Sequence, residues 1–221
     1  LQVKNAVFKN NTAISDDGAG VFVKTCNMIE IERTQFALNF GKGYGVGIYA
    51  EHCNIAYVRE TYFLFNLGSD SGDVIYSKHS DYVHCFSCVF IGNSVGSITV
   101  KYGDIFVIKN CIFKNNTGNR GIGLYIDEIE RIEIERADFL FNSASITAGG
   151  IYVDEYELLK INFSRFVFNS ALANGGGISA YDGQLITIKN SYFAFNSGKY
   201  GGGVQIKKAQ VHITDSQFIY N

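Results

Sequence analysis

Five acidic side chains, Asp127, Glu128, Asp154, Glu155 and Asp182, recur at intervals of about 27 residues in the second half of the chain. Carboxylates brought together in a groove are what acid–base cleavage of a sugar polymer, or capture of calcium, requires. These five instead return at one position of a repeat, just after an alternating stretch. The spacing therefore predicts a solvated acidic face, with no catalytic residue, metal ligand or cofactor. His52 and His79 share another repeat position, beside Glu51 and Lys78, and two imidazoles fall short of a zinc ligand set.

The cysteines fall into the same frame. Cys26 and Cys53 each precede a Phe by ten residues, and Cys88 and Cys111 each precede one by two. Either pair stacks in adjacent repeats at a separation a disulfide can span, provided the compartment is oxidising. The Cys88 position otherwise holds Thr34, Thr61, Ala137, Ser164, Ser191 and Ser216, which reads equally well as a column of small inward residues. Cys85 shares a position with Ile31, Val58, Ile108 and Ile134 and is expected to be buried. Acceptor sequons for N-glycosylation stand at Asn10, Asn115 and Asn162.

The elements that must position these residues follow from the repeat. Phe-x-x-Asn occurs nine times, at Phe8, Phe36, Phe63, Phe90, Phe113, Phe139, Phe166, Phe193 and Phe218, in steps of 23 to 28 residues. Glycine-rich markers such as "GVGIYA" and "GGIYV" lie between them. From the first apolar residue of a marker to the next Phe the distance is 15 residues, or 14 in the last repeat, whereas the return segment varies from 8 to 13. Length variation confined to one segment marks a loop edge on an invariant unit. Within that unit apolar residues alternate with period two, as at Ile132 and Ile134 around Glu133, which is the strand signature. Such units cannot bury a face alone and must stack about 4.8 Å apart. The expected fold is an all-β, right-handed parallel β-helix of about nine rungs, with an internal Phe column and an Asn ladder at a turn.

Two outward aromatic series emerge from this register. Phe22, Tyr49, Tyr76, Tyr125 and Tyr152 alternate with inward apolar residues, and Phe141, Phe168 and Phe195 share a position with Asn10 and Asn115. Both series are candidate contact surfaces, because contiguous exposed aromatics are uncommon on a monomer; stacking that merely stabilises a sheet face is the plainer account of the first.

The chain has 221 residues, 47% hydrophobic, with 24 Gly, no Pro and a net charge of −2. That balance gives no electrostatic case for nucleic acid or an anionic membrane surface, and no apolar run reaches membrane-spanning length. One continuous segment, 1–221, is expected, and both ends lie in register with the repeat, as in a piece of a longer solenoid.

Phe-x-x-Asn alternating with Gly-Gly-[Ala/Ile/Val] resembles the repeat of the chlamydial polymorphic outer membrane proteins. The likeness covers essentially the whole chain, although the paired glycines give way to "GDV" at Gly72 and "VGS" at Val95. It implies a β-helix of pectin-lyase-like architecture, in a surface-exposed region that serves adhesion or scaffolding. The expectation is therefore a non-catalytic, extracellular or cell-surface segment contacting other protein chains or glycans. The alternative is a carbohydrate-active enzyme, a polysaccharide lyase or hydrolase, with part of its site outside this chain.

Overall fold

The computed structural model describes residues 1–14, 17–69 and 72–221, and among them every regular element is a strand. A typical rung contains a long strand, Ile48–Arg59, a three-residue strand, Tyr62–Leu64, and a two-residue strand, Leu67–Gly68. Equivalent strands of successive rungs pair in parallel. They form an 11-stranded sheet from the long strands, a 9-stranded sheet from the Phe strands, and two short 3-stranded sheets on the loop edge. The register is the one the repeat predicts: Ile48 opposes Ile75, Ile75 opposes Ile98, and Ile98 opposes Leu124. The nine Phe residues likewise oppose one another in order.

Three columns of left-handed residues bend each rung. One includes Thr25, His52, His79, Tyr102, Glu128, Glu155 and Asp182, and folds the long strand in its middle. The second, including Arg33, Glu60, Arg136 and Asn190, separates the long strand from the Phe strand. The third follows the Phe strand and includes Asn10, Leu38, Phe65, Gly92, Asn115, Phe141, Phe168 and Phe195. A left-handed residue redirects the chain within one position, and Asn and Gly adopt that conformation with least strain. Asn10 and Asn115 are thereby explained by backbone geometry before any sequon is considered.

Inside, Phe36, Phe63, Phe90, Phe113, Phe139, Phe166 and Phe193 are fully buried. Their rings form one offset stack, with neighbouring centroids 4.6–5.1 Å apart and planes within 7°. In most rungs the glycine before the long strand makes room for the ring: a side chain at Gly123 would collide with Phe139 and with the Gly150 carbonyl, whereas Val74 and Ser97 take this position in two rungs. Ile29, Ile132, Leu159 and Ile186 close the core from the second arm of the long strand.

Beside the Phe stack runs the Asn ladder. Each side-chain amide donates to the next Asn Oδ1, as in Asn116 to Asn142 and Asn142 to Asn169, both 3.0 Å. Its second N–H reaches a Phe carbonyl one rung back, as in Asn142 Nδ2 to Phe113 O at 2.9 Å. Each Oδ1 also accepts the backbone N–H of the preceding Asn, with Asn116 N to Asn142 Oδ1 at 3.1 Å. All four bonding positions of the buried amide are thus filled.

Two substitutions separate packing from hydrogen bonding. Phe139→Ala is expected to cost roughly 3–5 kcal/mol by the large-to-small core penalty. Asn142→Leu, similar in size, should cost about 3 kcal/mol or more, because the buried N–H groups of Asn116 lose their acceptors. Chemical denaturation of both variants measures the two terms; an Asn142→Leu protein as stable as the parent would remove the ladder from the account.

Candidate functional site

The column structure places every residue singled out by its chemistry. Cys26 and Cys53 oppose each other and form a disulfide, Cα to Cα 4.4 Å, across 27 residues of chain. Cys88 and Cys111 are stacked but remain thiols, which corrects the second pairing. They act instead as members of the small-residue ladder. The hydroxyls and thiols of that column, which Ala137 interrupts, donate to the carbonyl two positions back: Thr61 Oγ1 to Arg59 O at 2.8 Å, Ser164 Oγ to Asn162 O at 2.9 Å, Cys88 Sγ to Phe86 O at 3.4 Å. Several also accept a backbone N–H from the rung before, as Ser164 does from Ala137 and Cys111 from Cys88. A thiol fills a hydroxyl's role here. Cys85 is buried, and burial pushes its thiol well up.

The acidic positions lie along the outward side of the long sheet in separate pairings. Asp127 faces Lys101 at 3.1 Å, Asp154 accepts the Tyr152 hydroxyl at 3.0 Å, and Asp182 faces Lys208 at 2.6 Å. Glu128 raises the neighbouring Glu155 by like charge. His52 and His79 stack at 4.7 Å, and His79 continues onto Tyr102 at 4.9 Å. Among the described residues no three His, Cys, Asp or Glu side chains converge on one point.

The two aromatic series differ. Phe141, Phe168 and Phe195 are nearly half exposed and stack at 5.1 and 4.8 Å. The other series is an exposed surface only in part. Phe22 is exposed and Tyr125 and Tyr152 are half-buried, but Tyr49 and Tyr76 are only 5% and 7% exposed. The reason is cover from elsewhere in the rung. Tyr44, on the return loop, packs on Tyr76 at 4.5 Å, and Lys24 lies over the Tyr49 ring. Asn10 and Asn115 are exposed at their turns, whereas Asn162 is half-buried and the Ser164 of its sequon belongs to the buried ladder.

One feature of this face goes beyond the sequence reading. The aromatic column reads Tyr49, Tyr76, Thr99, Tyr125, Tyr152 in register, so Thr99 leaves one ring out of the stack. The same rung has the shortest repeat, 23 residues from Phe90 to Phe113, and the shortest return loop. Missing ring and missing loop together open a cleft of about 360 Å³. Tyr44 and Tyr76 wall it on one side and Tyr125 on the other, with Lys101 and Arg120 also lining it. Asp73 and Thr99 line it too, and both are buried, at 8% and 3% exposure. Asp73 stands where Val46 and Ile122 stand in other rungs, and it fits only because Gly96 beside it lacks a side chain: a Cβ there would collide with Oδ1. The sequence carried this signal in the 23-residue step and in the departure of "GDV" from the glycine pair.

Burial pushes the Asp73 carboxyl up to about 7, against a hydrogen bond from Thr99 and the charge of Lys101, which both pull it down. The folded chain therefore retains a proton that the unfolded chain releases near 3.8. The resulting stability is present below that pH and is lost as pH rises toward 7. Thermal melts from pH 4 to 8 should show an alkaline loss of at most about 4 kcal/mol that disappears in Asp73→Asn; parallel profiles for the two proteins would mean the carboxyl titrates normally.

The cysteines predict a second contrast. Reducing the Cys26–Cys53 bridge, or replacing both residues by Ala, should lower stability by about 3–4 kcal/mol from loop closure alone. Cys88→Ser, by keeping the ladder's hydrogen bonds, should change it by less than about 1 kcal/mol. Unfolding curves with and without reductant test both.

With this geometry in place, comparison with known proteins identifies the family. Residues 46–221 match the family described as the right-handed β-helix region. The chain belongs to that family, and its solenoid is right-handed accordingly. A comparison with curated proteins found no match.

Proposed function

We propose that this chain is a non-catalytic, extracellular or cell-surface β-helical segment that acts as a structural scaffold or adhesion surface, contacting other protein chains or glycans. The observation that carries the proposal is the stacked Phe141–Phe168–Phe195 edge, which holds three large rings in solvent although their turn column accepts Gly and Asn elsewhere. Aromatic side chains supply much of the energy at protein and glycan interfaces, so rings maintained outside a core favour a contact role. The Cys26–Cys53 bridge supports an oxidising compartment, and the exposed Asn10 and Asn115 sequons suit a secreted chain. The likeness to the polymorphic outer membrane protein repeat belongs to the same proposal.

A second reading rests on Asp73. A buried carboxyl raised into the neutral range within a cleft is a feature of catalytic acids, and β-helices also carry polysaccharide lyases and hydrolases. Two-carboxyl hydrolysis, however, needs a partner about 5–9.5 Å away, and Asp73 is the one carboxyl among the described residues that line the cleft. Recognition is therefore preferred to turnover.

The edge is tested by changing Phe141, Phe168 and Phe195 together to Gly, the residue this column carries at Gly92. The variant should fold with an unchanged circular dichroism spectrum and lose at least tenfold in adhesion or in assembly with its partner. Full retention of adhesion by the folded variant would defeat the contact role. Release of reducing or unsaturated sugar ends by the parent, abolished in Asp73→Asn, would establish the enzyme instead.

A further inference from the structure

We infer that the Phe141–Phe168–Phe195 edge docks a second copy of this chain, the two solenoids lying side by side and parallel, with the ring ridge of each seated in a serine trough of the other. This rests on the contact role proposed for that edge and assigns its partner.

The stacking of the rings narrows the partner first. Phe168 lies between Phe141 at 5.1 Å and Phe195 at 4.8 Å, and Phe195 lies between Phe168 and Tyr220 at 5.4 Å, with planes inclined by 7°, 8° and 19°. Both faces of the two middle rings are therefore occupied, and the ridge shows solvent only ring edges. A pyranose packs on an aromatic face, so the middle of this ridge has no seat for one. Ring edges carry the positive part of the quadrupole and pack well beside oxygen atoms and aliphatic groups.

Such a seat runs alongside. Ser143 opposes Ser170, Ser170 opposes Ser197, and the Ser143 and Ser170 hydroxyls are 3.1 Å apart, so a row of small residues accompanies the rings at the same rung spacing. A groove of about 360 Å³ opens there, lined by Phe168, Phe195, Ser197, Gly198, Gly202 and Tyr220. Further along the chain, Ile146 and Leu172 are exposed and extend the apolar surface past the serines. Ridge and trough side by side make the surface self-complementary: a two-fold axis parallel to the solenoid and midway between them sets each ridge over the other copy's trough. Each rung then meets its equivalent, so the spacings match along the whole contact. A partner without the 4.8 Å repeat would fit one ring and miss the next.

Charge agrees with a self-contact. A two-fold interface sets a surface against itself, and like charges across it are costly. Residues 140–146, 167–173 and 194–198 contain no Asp, Glu, Lys, Arg or His, whereas the same stretches of two earlier rungs hold Lys42, and Lys114 with Arg120. The strip spans four rungs, roughly 15 Å, which puts the contact in the small, reversible class.

Sedimentation velocity of the intact chain over a concentration series tests this. The parent should form reversible dimers. The concentration at half-dimerisation should rise at least tenfold in Phe141/Phe168/Phe195→Gly, which removes the ridge, and in Ser197→Arg, which fills the trough and leaves every ring in place. Ser143→Cys should join two chains through a short bis-maleimide, because equivalent rungs face each other and the native free thiols are buried. A folded parent that stays monomeric, folded ridge and trough variants that both dimerise like the parent, or dimers in which Ser143→Cys does not cross-link would each overturn the inference. A monomeric parent whose ridge variant still loses adhesion rules out only the second copy and leaves the contact role standing; a monomeric parent whose ridge variant keeps adhesion defeats both.

Discussion

Everything in this solenoid depends on a hydrogen-bond problem at its corners. A parallel β-helix must bend three times per rung, and beside the two bends that flank the Phe strand one backbone N–H loses the carbonyl that a flat sheet would supply. After the Phe strand the orphaned donor is the backbone N–H of Asn, and the Asn side chain of the next rung accepts it. Before the Phe strand, hydroxyls and thiols of the small column do the same service. These two ladders let the chain turn sharply while keeping buried polar groups satisfied, and without them the Phe stack between the corners could not be dry.

Once the corners are fixed, the aromatic core follows from geometry. Parallel strands set the ring spacing near 4.8 Å, so identical residues in register must stack. A Phe placed at every rung converts that constraint into contact along its whole face, and in most rungs Gly at the facing marker leaves room beside the ring. The left-handed columns carry residual strain where they hold Phe65, Phe141 or Phe168 rather than Gly or Asn. Nothing in the core requires those rings, which stand nearly half exposed at the turn.

What the sequence disclosed, and what it withheld, divides along the same line. Period, register, buried Phe and laddered Asn were legible because they repeat, and repetition in a solenoid is contact. The Cys26–Cys53 bridge was legible for that reason too. Cys88 and Cys111 shared a column equally well, but stacking alone does not distinguish a bridge from two thiols each bonded to a carbonyl. The burial of Tyr76 was not legible, because its cover comes from Tyr44, a return-loop residue with no fixed place in the repeat. Loop residues obey no period, so the face they cover must be seen to be known.

The cleft belongs to this non-repeating part and shows why a solenoid can host it. Between Phe90 and Phe113 four residues are missing relative to the common 27-residue step, yet the Asn ladder crosses the gap unbroken, Asn93 to Asn116 at 3.0 Å. The Phe stack crosses it as well, Phe90 to Phe113 at 4.9 Å. Because each rung leans only on its neighbours, a loop can be shortened, a ring removed and a carboxyl buried on one level while corners and core stay in register. The invariant arc carries stability and the variable arc is free to carry recognition. In this chain the place where the variable arc departs furthest from the repeat is also the place where a buried acid, a hydroxyl, two cations and three aromatic rings line one space.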